Sequence, residues 1–142
     1  MKTILFSDDH KNIREYCRAV LADEGYRVVL ARDGIEALEM FIAETPDLAI
    51  LDISMPRCGG LEALEHIKGL SPRTPVILFT AHDEVCTRDR RAWLATACVE
   101  KSEDLAELKR IVAHTLTRRM SEGGGESLRM GLPPFPARME HA

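Results

Sequence analysis

The side chains most able to do chemistry are carboxylates that follow short apolar runs at two places in the chain. Asp52 follows the run 48–51, and Asp8 and Asp9 come soon after the run 4–6. A carboxylate is costly to bury without a partner, so an acid that ends a buried run is rarely there for stability. Mg²⁺ prefers oxygen ligands and would neutralise gathered carboxylates. The three acids therefore predict a divalent cation site.

Two further polar residues end apolar runs later in the chain. Thr80 follows the run 76–79, and Lys101 comes after the run 97–99. A lysine near a metal-bound carboxylate supplies positive charge where the oxygens of a phosphoryl group would lie, and a threonine hydroxyl supplies a hydrogen bond. A carboxylate can act as the nucleophile in aspartyl-phosphate chemistry. Phosphoryl transfer needs mainly positioning and charge neutralisation, which this set provides.

Each of these residues also has a plainer interpretation. Asp52 could cap a helix or turn, Lys101 could be an ordinary surface lysine, and the Thr80 hydroxyl could bond its own backbone. Any one of these roles is reasonable alone. Their joint occurrence at the ends of successive apolar runs favours a common site.

The elements that must position these residues alternate along the chain. The apolar runs 4–6, 28–31, 48–51, 76–79 and 97–99 are too short for helices and are typical of strands buried on both faces of a parallel sheet. Apolar residues at helical spacing lie between and after them, in four stripes: Ile13, Tyr16, Cys17, Val20 and Leu21; Ala37, Leu38, Phe41 and Ile42; Leu61, Leu64 and Ile67; and Leu105, Leu108, Val112, Thr115 and Leu116. The segment 83–94 predicts a further helix from a weaker pattern.

Capping residues mark the predicted helix ends. Asp33 is a plausible N-cap of the second helix, and Gly25 ends the first. Ser102 is the predicted N-cap of the last helix, with Glu103 and Asp104 in its first turn.

Five strand–helix units in series predict an α/β fold with a doubly wound, five-stranded parallel sheet and five helices. The common strand order for such a sheet is 2-1-3-4-5, as in flavodoxin-like folds, and ligands bind where the order reverses. This order places Asp8 and Asp9 beside Asp52 in one crevice, with Thr80 and Lys101 at the same edge.

Composition narrows the function classes. The chain has 142 residues, enough for one domain, and a net charge of −4, which gives no basic face for nucleic acid. No apolar run could span a membrane, and the first residues do not form a secretory signal, so we expect a cytoplasmic protein. We expect a domain over residues 1–119 and a disordered tail over 120–142, where glycine and proline are frequent.

The cysteines and histidines show no metal-ligand spacing. Cys17, Cys58, Cys86 and Cys98 include no Cys-x-x-Cys pair, so reduced cysteines are expected in preference to disulfides or a zinc site. The five histidines likewise predict no metal site by their spacing.

The motifs together resemble the receiver domains of two-component response regulators over roughly residues 2–118. The segments that carry the resemblance are 4–9 (ILFSDD), 51–56 (LDISMP), 59–61 (GGL), 79–81 (FTA) and 99–101 (VEK). The resemblance implies that Asp52 accepts a phosphoryl group from a histidine kinase or phosphotransfer protein in a Mg²⁺-dependent reaction. It implies that Asp9 binds Mg²⁺ directly, Asp8 through water, and Asp52 and the backbone carbonyl of Ser54 as further ligands.

The resemblance also implies how the phosphoryl group acts. Thr80 and Lys101 would hold its oxygens, and His82 at the pocket mouth would influence its hydrolysis, which we interpret as positioning of the attacking water. The switch would act on the face built from the fourth helix, fifth strand and fifth helix, which would contact a downstream protein effector and is the expected surface for any homodimer. Neither direct nucleic-acid binding nor a membrane is expected.

Two positions depart from the family pattern. Cys98 stands where receivers usually carry an aromatic residue that reports the state of the threonine, so a different coupling is expected. Ser102 replaces the usual proline after Lys101. This replacement predicts either a trans peptide with a shifted start of the fifth helix or a strained cis peptide, which costs about 3–4 kcal/mol.

The leading hypothesis is a stand-alone signalling module that promotes only its own phosphoryl transfer and autodephosphorylation, and is not otherwise an enzyme. A receiver-like interaction module that no longer switches is the second hypothesis. The third hypothesis is a phosphatase or phosphotransferase with an aspartyl nucleophile. Such enzymes usually carry a second acid two residues after the nucleophile as the general acid. This chain has Ser54 there, which argues against an enzyme of this kind.

Overall fold

The computed structural model describes residues 1–81, 84–102 and 104–122, which form a parallel sheet with helices on both faces. The elements are β1 (Thr3–Ser7), α1 (Lys11–Asp23), β2 (Arg27–Ala31), α2 (Gly34–Glu44), β3 (Leu48–Asp52), α3 (Gly60–Leu70), β4 (Val76–Thr80), α4 (Glu84–Arg88), a 3₁₀ helix (Arg90–Leu94), β5 (Ala97–Glu100) and α5 (Ala106–Glu122). All pairings are parallel, in the order β2-β1-β3-β4-β5. The predicted topology is confirmed.

The central strands are buried along their whole length. Every residue of β3 and β4 is buried, as the continuous apolar runs predict for strands covered on both faces. The edge strand β2 begins with the exposed Arg27 and is only partly buried. The sheet is therefore a rigid platform whose carboxyl edge carries the candidate site.

Two hydrophobic cores lie on opposite faces of the sheet. Helices α1 and α5 cover one core, in which the rings of Phe6 and Phe79 meet edge to face with centroids 5.9 Å apart. Helices α2, α3 and α4 cover the other. The predicted stripes reach these cores except at Tyr16 and Ile42, which are 50% and 63% exposed because the outermost positions of a stripe lie at the rim of the contact.

The N-cap of α2 is confirmed and that of α5 is wrong. Asp33 accepts a hydrogen bond from the Glu36 backbone N–H at 2.8 Å. Helix α5 begins at Ala106. The preceding residue, Leu105, has a left-handed φ of 54°, which is not helical, and its side chain is buried. The helix therefore does not extend back to Ser102. No peptide bond in the described ranges is cis, so the trans alternative with a shifted helix start holds.

The helix predicted over residues 83–94 is shorter and divided. Helix α4 ends at Arg88, and the 3₁₀ helix follows after Asp89. Asp89 has extended dihedrals and accepts a hydrogen bond from the Arg91 N–H at 2.9 Å. An aspartate that caps a new helix in this way cannot continue the previous one, which explains the break.

The expectation of reduced cysteines is wrong for one pair. Cys86 in α4 and Cys98 in β5 form a disulfide, with Cα atoms 6.5 Å apart and 12 residues of sequence separation. Cys17 and Cys58 are buried free thiols. Local spacing gives no sign of the pair, because the two residues meet through the packing of α4 against β5.

The last described helix continues three residues beyond the predicted domain boundary at residue 119. Helix α5 ends at Glu122, and residues 123–142 lie outside the described part of the chain. The disordered tail therefore stays a prediction. None of the described helices is both long and apolar enough to cross a membrane.

Candidate functional site

The carboxylates predicted from the sequence meet at the carboxyl edge of β1 and β3. Ser7 pairs with Leu51 in the sheet, so the residues that follow these two lie side by side. Asp8 has no exposed surface and Asp52 is 4% exposed. Ligand atoms of Asp8, Asp9, Asp52 and His10 all lie within 4.8 Å of one another. Three carboxylates at this spacing are a donor set that suits Mg²⁺.

The Lys101 ammonium group joins the two buried carboxylates. Its Nζ donates to Asp8 Oδ2 at 2.9 Å and lies 3.4 Å from Asp52 Oδ2. The Lys101 backbone N–H donates to the Thr80 carbonyl at 2.8 Å, and Nζ lies 5.6 Å from the centroid of the Phe79 ring. The ends of β4 and β5 therefore aim the lysine into the crevice, as the strand order predicts.

The electrostatics of the crevice keep the lysine charged. Burial alone would lower the pKa of Lys101, but its hydrogen bond to Asp8 and the charges of Asp52 and Asp8 raise it above its usual value. Burial and the charge of Asp8 raise the pKa of Asp52, against the opposing effects of Lys101 and the Ser54 N–H. The raised pKa means that the charged form of Asp52 is disfavoured in the crevice. A further positive charge placed beside the carboxylate would stabilise that charged form.

Thr80 and Ser54 lie where the sequence predicts them. Thr80 is buried at the end of β4 and pairs with Glu100, next to Lys101. The Ser54 backbone N–H donates to Asp52 Oδ1 at 3.3 Å. The metal-binding role of the Ser54 carbonyl stays a prediction. The predicted role of His82 lies outside the described residues.

Cys98 lies three residues before Lys101, at the position expected to modulate the switch. Its sulfur is bonded to Cys86 of α4. The residue at this position is therefore joined to a neighbouring helix, and the small free thiol expected from the sequence is not present.

His10 belongs to the site although its spacing predicts no such role. Its Nδ1 lies 3.2 Å from Asp9 Oδ1 and 3.4 Å from Asp8 Oδ1, and its backbone N–H donates to Asp8 Oδ1 at 2.9 Å. The only sequence signal is its position directly after the two acids. Metal-ligand spacing rules compare histidines with other ligands along the chain, so they overlook a single histidine beside an acidic pair.

The loop between β3 and α3 packs tightly against Asp52. A Cβ atom at Gly60 would overlap the backbone carbonyl of Asp52, and the Gly60 N–H donates to the Ile53 carbonyl at 2.9 Å. In the same loop the Arg57 Nε donates to Asp33 Oδ2 at 3.0 Å. These contacts fix the loop that leaves the site, and the pair of glycines at 59 and 60 is their only trace in the sequence.

Comparison with known proteins places this geometry in a family. The family model described as "Response regulator receiver domain" matches residues 4–113. The response regulator MprA of Mycobacterium tuberculosis is 38% identical over 130 residues, which are 89% of this chain and 56% of that protein. The chain thus spans about half the length of the curated relatives it matches.

Solved structures show the same architecture. The response regulator TrrA of Thermotoga maritima in complex with Mg²⁺-BeF has a TM-score of 0.78 and 40% identity, and the match covers 80% of this chain and 98% of that one. TrrA in complex with the histidine kinase ThkA matches with a TM-score of 0.74 and 40% identity over 80% of this chain and 97% of that one.

Proposed function

This chain belongs to the response regulator receiver domain family, and from that premise we propose that Asp52 accepts a phosphoryl group from a histidine kinase or phosphotransfer protein in a Mg²⁺-dependent reaction. The observation that carries the proposal is the contact of one ammonium group, Lys101 Nζ, with the carboxylates of both Asp8 and Asp52. The complexes of TrrA with Mg²⁺-BeF and with a histidine kinase support it.

The chemistry is an in-line transfer to a carboxylate oxygen. Asp52 attacks the phosphorus of a phosphohistidine, the new O–P bond forms, and the N–P bond breaks as the imidazole leaves. Bound Mg²⁺ would neutralise charge on the phosphoryl oxygens, held by Asp9 directly, by Asp8 through water, and by Asp52 and the Ser54 carbonyl.

The phosphoryl group would then be held by two residues from neighbouring strands. Lys101 neutralises one oxygen, and the Thr80 hydroxyl donates to another. Both residues leave the sheet at the edge that carries Asp52. Their movement toward the phosphoryl group would change the face formed by α4, β5 and α5, which would contact a downstream protein effector or a second copy of the chain.

We place the protein in the cytoplasm, where it acts by protein contacts, without direct nucleic-acid binding, and promotes only its own phosphorylation and autodephosphorylation. The stand-alone organisation stays a prediction, since the curated relatives are longer than this chain.

One observation favours a second function, that of an interaction module that no longer switches. Cys98 stands at the position where the family usually has an aromatic residue, and its disulfide to Cys86 joins α4 to β5. A fixed α4–β5 pair would preserve the binding face but prevent its response to Asp52.

Intact-protein mass spectrometry after treatment with acetyl phosphate and Mg²⁺ tests the proposal. We expect one phosphoryl group on the wild type, and none on Asp52→Asn or without Mg²⁺. Asp47→Asn is the matched control, because Asp47 precedes the same strand at the opposite edge of the sheet, where it accepts a hydrogen bond from the Thr3 N–H at 2.8 Å. Equal phosphorylation of the wild type and Asp52→Asn would overturn the assignment of Asp52.

A further inference from the structure

The Cys86–Cys98 disulfide joins the short helix α4 to β5, the strand that leads to the site. Cys98 lies beside Leu78 of β4 and three residues before Lys101. Cys86 is buried in the core between the sheet and helices α2 and α3, and the partly buried Cys98 packs against the same core. The bond therefore connects α4 to β5 at the face through which the proposed function would send its signal.

The disulfide closes a loop that begins with the short helix α4. Helix α4 spans five residues in the described part of the chain and is followed by the extended Asp89 and the 3₁₀ helix. Within the described residues, Val85 and Cys86 are the α4 side chains that pack on the core. A helix this short has marginal stability of its own, so a covalent bond to β5 has a large effect on its position.

We propose that Cys86–Cys98 is a thiol–disulfide exchange site, at which a dithiol reductant releases α4 from β5 and so permits the switch. The inference rests on the proposed function, because it assigns a control to the same phosphorylated domain. The closed disulfide holds α4 against β5, and the open dithiol allows α4 to move when Asp52 is phosphorylated.

The exchange balances without any other reactant. A thiolate of the reductant attacks one sulfur, which gives a mixed disulfide and releases the second cysteine as a thiolate that takes up a proton. The second thiol of the reductant then attacks the mixed disulfide, releases the first cysteine and is itself oxidised to a disulfide. Two electrons and two protons pass to the protein, and a small-molecule disulfide of the glutathione class reverses the reaction.

The remaining cysteines would not interfere with this exchange. Cys17 and Cys58 are buried. Burial raises the pKa of the Cys17 thiol to about 12, and burial, with the nearby Glu62, also raises the pKa of the Cys58 thiol. Thiols that stay protonated are poor nucleophiles, so the disulfide does not reshuffle onto them. Cys98 is the partly exposed member of the pair and Cys86 is buried, so we expect a reductant to attack the Cys98 sulfur first.

Thiol counting tests the bond itself. The protein is purified without reductant, denatured, alkylated with iodoacetamide and weighed. We expect two alkylated cysteines before treatment with dithiothreitol and four after it, and peptide mapping places the protected pair at Cys86 and Cys98. Four alkylated cysteines before reduction, or protection of a different pair, would overturn the proposal.

Hydrogen exchange of peptides over residues 84–98 tests the control. We compare oxidised protein, protein reduced with dithiothreitol and Cys86→Ser, each with and without Mg²⁺ and beryllofluoride, and take Cys17→Ala as the matched control that keeps the disulfide. Beryllofluoride should change exchange by about fivefold or more in the reduced and Cys86→Ser proteins and by less than about twofold in the oxidised and Cys17→Ala proteins. The same response in oxidised and reduced protein, or no response in either, would overturn the proposal.

Measurement of the phosphoryl adduct distinguishes failure of the redox control from failure of the proposed function. Phosphorylation of Asp52 by acetyl phosphate is measured on the same oxidised and reduced samples. We expect equal adduct in both, because neither cysteine supplies an atom to the acidic site. An adduct without redox-dependent exchange overturns only the redox control. An absent adduct in both samples overturns the proposed function.

Discussion

Replacement of Lys101 by methionine gives the sharpest test of how the crevice is held together before any phosphoryl group arrives. Methionine keeps most of the apolar stem of Lys101 but removes the ammonium group, whose Nζ lies 5.6 Å from the centroid of the Phe79 ring. Asp8 and Asp52 would then face each other without the cation that now lies 2.9 Å and 3.4 Å from their oxygens. We expect the substitution to destabilise the protein.

The magnitude follows from burial. Asp8 has no exposed side-chain surface and Lys101 is only 19% exposed. Removal of one partner from a buried ion pair costs about 3–5 kcal/mol, and we expect the lower end, about 3 kcal/mol, because the Lys101 side chain keeps some contact with solvent. With a urea dependence of about 1.5 kcal/mol per M, the unfolding midpoint should fall by about 2 M.

Urea unfolding at pH 7, with Lys109→Met as the control, provides the assay. Lys109 lies 3.7 Å from Glu24 in an exposed pair, with side chains 38% and 45% exposed. Loss of such a surface pair should change the free energy of unfolding by less than about 1 kcal/mol. Equal effects of the two substitutions would refute the reasoning, because they would show that the Lys101 pair has no more value than a surface contact.

Mg²⁺ provides a second measurement on the same variant. A cation bound by the same carboxylates should raise the midpoint of Lys101→Met more than that of the wild type, because the lysine no longer repels it. A smaller effect of Mg²⁺ on the variant would show that Lys101 and the cation do not share these ligands.

Two further substitutions test the supports of the site. Gly60→Ala should lower the free energy of unfolding by about 1–3 kcal/mol and reduce phosphorylation, because its Cβ would overlap the Asp52 carbonyl. The control Gly69→Ala should be neutral or stabilising, because nothing lies within 4 Å of the added Cβ. Equal urea midpoints for the two variants would contradict this prediction. Burial alone would raise the pKa of Asp33, but the hydrogen bond from the Glu36 N–H and the pairing with Arg57 lower it below 3.8. The Asp33 charge therefore stabilises the fold above pH 3.8, and this stabilisation is lost as the pH falls through the lowered pKa. In urea unfolding, Asp33→Asn should therefore lower the free energy of unfolding by about 0.5 kcal/mol at pH 7 and by less at pH 3, because Asn keeps the cap but loses the pairing with the exposed Arg57. A destabilisation that grows toward acid pH would contradict the predicted direction of the pKa shift.

The sheet and the positions of the acids could be predicted because they depend on local patterns. A strand buried on both faces needs a continuous apolar run, and residues that follow such runs must lie at one edge. Asp52 and Lys101 thus come together from sequence position alone. The cap at Asp33 is equally local, since its hydrogen bond spans three residues.

The features that could not be predicted depend on backbone conformation or tertiary contact. The left-handed backbone at Leu105, which no glycine or asparagine marks, delays the start of α5. The Cys86–Cys98 bond depends on how α4 packs against β5. The direct contact of Lys101 with Asp8 depends on side-chain reach, which spacing along a chain does not contain.

The position of the phosphoryl group tests the central claim most directly. After treatment with acetyl phosphate and Mg²⁺, borohydride reduction converts an aspartyl phosphate to homoserine, and peptide mass spectrometry identifies the altered residue. We predict homoserine at position 52 alone, with Asp8 and Asp9 unchanged. Label at Asp9, or no homoserine in protein that has gained a phosphoryl group, would contradict the account.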